Sequence, residues 1–158
     1  MNYLDTCLDK IYSSEDYSQK GYDLEPIESF LYVFNNEVFV VFIFELSDFG
    51  NNWQKYEYAI WSISTSEYIK KNDDRYSELV SMMPALVDLK PEGGTEDIFK
   101  TMELSDTFNN LVASVSGEGA ISDDIAKEYL SYMKEAISLK SPSVQKIYGF
   151  FKDSFVSK

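Results

Sequence analysis

The sequence predicts an α+β fold in which an N-terminal helix precedes a three-stranded antiparallel sheet, with four to five C-terminal helices packed on that sheet. Three observations carry this reading. The apolar run Val38 to Phe44 shows no polar alternation, two segments rich in β-branched and aromatic residues flank it, and after residue 64 the apolar spacing changes to a period near 3.6. At 158 residues the chain has the usual size of one domain. Residues 1–158 are therefore read as a single unit, with a helix plus β-meander over 1–64 and a helical part over 65–158. A hydrophobic fraction of 44% supplies ample material for a core.

Tyr3 to Tyr12 places Leu4, Cys7, Leu8 and Ile11 at helical spacing, the mark of a short amphipathic helix. Residues 13–28 are polar, with Ser13, Ser14, Gly21 and Pro26, and read as a loop. Phe30 to Phe34 and Val38 to Leu46 are strands joined by Asn35-Asn36-Glu37; asparagine tolerates positive φ, so a tight hairpin is expected. A strand apolar on both faces must be covered on both, by helices of its own chain or by a partner. Ser47 to Asn52 turns the chain, and Tyr56 to Ile63 forms the third strand, with Tyr56, Tyr58, Ile60 and Ser62 on one face.

Ser64, Thr65 and Ser66 are expected to cap a helix beginning near Glu67. A further helix from about Asp73 carries Tyr76, Leu79, Val80 and Met83 on one stripe, and Pro84 ends or kinks it. After the break Pro91-Glu92-Gly93-Gly94, Thr95 caps a helix holding Ile98, Phe99 and Met102. Ser105 caps another with Phe108, Leu111, Val112 and Val115. Beyond Gly117-Glu118-Gly119, Ser122 opens a helix with Ile125, Tyr129, Tyr132, Met133 and Ala136 on its apolar side. Ser141-Pro142 starts the last, which presents Val144, Ile147, Tyr148, Phe151 and Phe155.

Charge is the strongest global signal. The chain holds 27 acidic and 14 basic residues, a net charge of −13. Such a surface repels nucleic-acid phosphates and anionic membranes and attracts basic partners from a distance. Direct nucleic-acid binding is disfavoured, and no membrane association is expected, the longest apolar run being far too short to span a bilayer. Residues 1–64 carry the denser charge, 11 acids against three lysines.

Chemistry is hard to find. The chain has no histidine, which removes the usual general base and the usual metal ligand. Cys7 is the only cysteine; it excludes an intramolecular disulfide and falls on the apolar stripe of the first helix, where an inert buried thiol is expected. The pairs Asp73-Asp74, Glu96-Asp97 and Asp123-Asp124 sit at expected helix starts, where capping and the helix dipole account for them. Glu15-Asp16 has no calcium loop around it, and neither glycine pair has phosphate-loop spacing. No catalytic residue, metal site or cofactor is expected. The chain opens Met-Asn-Tyr-Leu-Asp without a basic-plus-apolar leader, so the expectation is cytoplasmic.

What remains suits contact. Residues 13–28 interleave Glu15, Asp16, Asp23, Glu25 and Glu28 with Tyr17 and Tyr22, and residues 48–58 add Asp48, Trp53, Tyr56 and Glu57. Aromatic rings supply desolvated area while carboxylates steer and pair with lysine or arginine. These eleven residues are the candidate partner-binding set; a solvated acidic face with Trp53 as a lid over the sheet is the bland alternative. In size, charge and lack of chemistry the chain resembles the small acidic anti-defence proteins of phages, such as anti-restriction and anti-CRISPR proteins. It also resembles toxin-neutralising immunity proteins. No motif carries either resemblance, and no residue role is transferred. The first implies an inhibitor that blocks the basic functional surface of a nuclease or other nucleic-acid enzyme, by imitating phosphate charge. The second implies an immunity protein or regulatory subunit bound to one dedicated bacterial protein. An enzyme using carboxylates and tyrosine alone is the third reading. A covered central strand also leaves a homodimer open.

Overall fold

The computed structural model describes residues 3–18, 23–48, 50, 53–86, 98–118, 121–138 and 142–156. Helix α1 (Tyr3–Tyr12) leads into strands β1 (Asp23–Phe34), β2 (Glu37–Asp48), β3 (Trp53–Ser62) and β4 (Glu67–Ile69). Helices α2 (Asp74–Ser81), α3 (Ile98–Glu118), α4 (Asp123–Ser138) and α5 (Pro142–Val156) follow. The strands form one antiparallel meander in the order β1-β2-β3-β4. The α+β class and the helix–sheet–helix order are as expected, but the sheet has a fourth strand.

The β1–β2 hairpin turns on Asn35 and Asn36, at φ 51° and 62°. Two successive positive values make a type I′ turn, whose twist matches that of the strands it joins. The resulting register pairs Phe34 with Glu37, Tyr32 with Phe39 and Phe30 with Val41. β2 is central and buried throughout Val38–Phe44. Its two faces are covered by the chain itself. On one face Tyr12 and Tyr17 lie against Phe44, and the Trp61 indole N–H donates to the Tyr3 hydroxyl at 2.9 Å, which seats α1 there. On the other, Phe30 packs between Tyr148 and Phe151 of α5, with ring centroids 4.5 Å away in each case. Each large apolar side chain so buried contributes about 1.5–3 kcal/mol.

Four expectations are corrected. Residues 63–66 form a turn, with Ser66 at φ 55°, and the chain continues into β4 instead of a helix near Glu67. β-Branching at Ile69 and the aromatic Tyr68 favour a strand once Ile69 is fully buried against Ile60. β1 begins at Asp23, so Asp23, Glu25 and Glu28 are strand residues, not loop residues; a register shift between Pro26 and Glu28 accommodates the proline. No helix starts at Ser105, because α3 runs unbroken through it; Thr95 lies outside the described residues. α2 stops at Ser81, three residues before Pro84, with Asp73 accepting from the Arg75 N–H as its N-cap.

β1 is an edge strand, and its outward backbone groups need partners. At Leu31 the buried Tyr129 hydroxyl of α4 supplies both. It accepts from the Leu31 N–H at 3.0 Å and donates to the Leu31 carbonyl at 3.3 Å. Tyr129→Phe keeps the ring but leaves two buried backbone groups unpaired. Urea denaturation should show a loss of about 1–3 kcal/mol without a change in slope. A loss below about 0.5 kcal/mol would mean that the phenol does not seal this edge.

Candidate functional site

Asp16, Tyr17 and Glu57 are brought together, but facing inward. The buried Tyr17 ring packs edge-on against Phe44, and its hydroxyl donates to the Glu57 carboxylate. Lys71 pairs with the same carboxylate oxygen and lies over the Tyr17 ring, 4.8 Å from its centroid. Lys55 stands 3.6 Å from the other Glu57 oxygen. Asp16 accepts from the Tyr68 hydroxyl at 2.6 Å and from the Lys71 N–H at 3.0 Å. Burial, then the Glu57 carboxylate, pushes the Tyr17 phenol far above its usual range. The cluster ties the segment after α1 to β3 and β4, and its hydrogen-bonding capacity is largely used within the chain.

The other candidates lie elsewhere. Glu15 is exposed beyond α1, and Glu28 is half-buried, accepting from the Tyr148 hydroxyl at 2.7 Å. Tyr22 lies outside the described residues, as does the Trp53 side chain, although the Trp53 backbone begins β3. Asp23 and Glu25 are exposed at the start of β1, and Asp48 is half-buried at the end of β2. Antiparallel pairing gathers these three at one end of the sheet.

Register produces an unfavourable pair there. Glu25 stands directly opposite Glu45, and Glu45 opposite Tyr56, so the three share a row across β1, β2 and β3. Like charges directly opposite are destabilising. Among the described residues no lysine or arginine pairs with either carboxylate. Burial, then the Glu45 charge and a side-chain hydrogen bond to Glu45, raises the pKa of the Tyr56 phenol.

Beside this row opens a groove of about 640 Å³. One wall is β3 from Gln54 to Tyr58; the other is Tyr76 and Val80 of α2 with Met83, Pro84 and Leu86 beyond it. Two hydrogen bonds set its width: Tyr76 donates its hydroxyl proton to the Tyr58 carbonyl at 2.7 Å, and Tyr58 donates its own to the Pro84 carbonyl at 2.6 Å. Of the groove's residues the expected set held Tyr56 and Glu57. The Tyr76–Val80–Met83 stripe was legible as apolar helix face, but its role as a wall was not, because that depends on how little of β3 the short β4 covers.

The described residues include no group of three or more His, Cys, Asp or Glu placed to hold a metal. Cys7 is buried, and burial pushes its thiol up to about 12, so it is neutral at physiological pH. No described helix is long and apolar enough to cross a membrane. No family model, curated protein or solved structure matches the chain.

One ionic cluster yields a pH prediction. Arg75 bonds to Glu67 at 2.9 Å and to Asp73 at 3.0 Å, and those bonds hold both carboxyls below their usual range. A carboxyl lowered on folding stabilises the fold above its unfolded pKa, and that contribution is lost as pH falls through the folded value. Both groups are largely solvated, so the effect is at most about 1 kcal/mol. Denaturation midpoints measured from neutral pH down through the carboxylate range should fall less steeply for Arg75→Ala than for the parent. Parallel profiles would show that the cluster adds nothing.

Proposed function

We propose that the chain is a non-enzymatic binding protein that engages a basic protein surface, and that it acts as an inhibitor by covering that surface. The observation that carries this is the Glu25–Glu45 pair. Two carboxylates held opposite each other, with Asp23 beside them and no cation against either among the described residues, raise the energy of the free protein and lower it on meeting lysine or arginine. A net charge of −13 adds long-range attraction to the same partners. Surfaces that handle nucleic acid are basic by necessity, so a nuclease or related enzyme is the partner class this charge fits best. A second reading, a dedicated partner bound mainly through apolar contact in the manner of an immunity protein or regulatory subunit, is favoured by the apolar groove wall.

The two readings respond differently to salt. The Debye length falls from about 10 Å at 0.1 M to about 3 Å at 1 M, so a charge-steered complex weakens while an apolar one persists. Immobilised protein should retain a basic protein from a bacterial lysate at the lower salt and release it at the higher. A Glu25→Lys/Glu45→Lys bait should retain none. Equal recovery on both baits would sink the charge reading. The same row makes a prediction that needs no partner: Glu45→Gln should stabilise the free protein, by about 0.2–1 kcal/mol, because it removes a like-charge opposition.

A further inference from the structure

The hydrogen-bonding sense of β3 follows from the hairpin. Phe34 and Glu37 flank a two-residue turn and exchange backbone hydrogen bonds, so the odd-numbered residues of β2 face β1 and the even-numbered ones face β3. On β3 the odd-numbered residues Lys55, Glu57 and Ala59 therefore bond to β2, and Gln54, Tyr56, Tyr58, Ile60 and Ser62 turn their N–H and C=O groups outward. Two independent contacts agree: β4 pairs with Ile60 and Ser62, and the Tyr58 carbonyl accepts from Tyr76.

β4 is three residues long against ten for β3. It stops at Ile60, and among the described residues nothing bonds from the outer side to the N–H groups of Gln54, Tyr56 and Tyr58 or to the carbonyls of Gln54 and Tyr56. This stretch spans about 13 Å at the usual strand rise. It is the same stretch that walls the groove, facing Val80 and Met83 across the gap. Donors and acceptors alternate along one wall, and an apolar surface forms the other. That is the geometry with which a sheet edge accepts an added strand: backbone bonds give affinity, and alternate side chains point at the apolar wall.

We propose that this groove takes an extended segment of a partner protein as a fifth strand beside β3, apolar at alternate positions and carrying lysine or arginine between them. This rests on the charge reading above and names the part of the partner that this region receives. A small ligand would leave most of the alternating backbone groups unpaired. A second copy would bring one net charge of −13 against another, and would set exposed Lys55 edge against Lys55 edge. A basic segment meets neither penalty, and the Glu25–Glu45–Tyr56 row leads into the groove at Tyr56.

The test uses a fluorescent peptide of about eight residues alternating valine and lysine, its analogue N-methylated at every second backbone nitrogen, and a valine–glutamate counterpart. Binding to the full chain is read by anisotropy, and the amides of Gln54, Tyr56 and Tyr58 by hydrogen exchange. The valine–lysine peptide should bind and protect those amides. N-methylation on the paired edge should weaken it at least about tenfold, since a backbone bond lost at each site accumulates. Gln54→Pro should do the same while leaving circular dichroism unchanged, because the N–H it removes points away from β2.

Equal binding of the N-methylated peptide, or no binding of the valine–lysine peptide, overturns the added strand. So does protection of the three amides in the free protein, which would mean that the chain fills its own edge, and so does a dimer in sedimentation that Gln54→Pro disrupts. If the valine–glutamate peptide binds as well as the valine–lysine one, the basic occupant is wrong and the charge reading fails with it. Retention of a basic protein on immobilised wild type and on Gln54→Pro alike would sink the strand and leave the charge reading standing.

Discussion

β2 is buried along both faces from Val38 to Phe44, so neither face can be left to water. Most other elements are placed by that requirement. The face carrying Phe42 and Phe44 is closed by α1 and by Tyr17, and the face carrying Val41 is closed through β1 by α5. α4 reaches the edge of β1, while α3 lies against both α4 and α1 and links the two layers. The inward polar cluster of Asp16, Tyr17, Glu57, Tyr68 and Lys71 serves the same end. It fastens the segment after α1 over a sheet that would otherwise expose Phe44.

Where local chemistry and tertiary need agreed, the sequence was readable. Two consecutive asparagines between apolar runs admit few structures other than a tight hairpin, and both adopt positive φ. Pro142 opens α5, and Ser122 caps α4 by accepting from the Ile125 N–H. Reading failed where a polar triplet had two uses. Ser64-Thr65-Ser66 caps a helix as readily as it turns a hairpin, and only the pairing of Ile69 with Ile60 decides between them. Asp23 to Glu28 looked like a loop because its acids and its proline are poor strand formers. Pairing with β2 overrode that local preference.

The site was less legible, for a related reason. Carboxylates and tyrosines adjacent in sequence were expected to share a surface, yet burial sorted them. Tyr17 and Glu57 turned inward because a phenol and two lysines satisfy the carboxylate there, whereas Glu25 was left opposite Glu45 by register alone. Glu45 follows the apolar run of β2 but was not among the residues expected at a contact surface, because its neighbour across the sheet could be named only once the bulge near Pro26 had set the register. The groove depends on a length difference between β3 and β4, which no pattern of residue types encodes directly.

The two edges of the sheet are treated unequally, and the difference bears on function. At β1 a buried phenol takes both the outward N–H and the outward carbonyl of Leu31, so an added strand cannot use that residue. At β3 the corresponding device, Tyr76 on the Tyr58 carbonyl, acts once, at the end nearest β4. An open edge beside an apolar wall is a standing hazard of self-pairing, which proteins commonly restrain with an edge lysine or with charge. Here Lys55 lies on β3, and copies carrying a net charge of −13 repel one another at range. In the proposed reading, the same charge that repels a second copy draws in a cationic chain. Under that proposal the acidity separates the pairing the fold must avoid from the pairing it leaves room for.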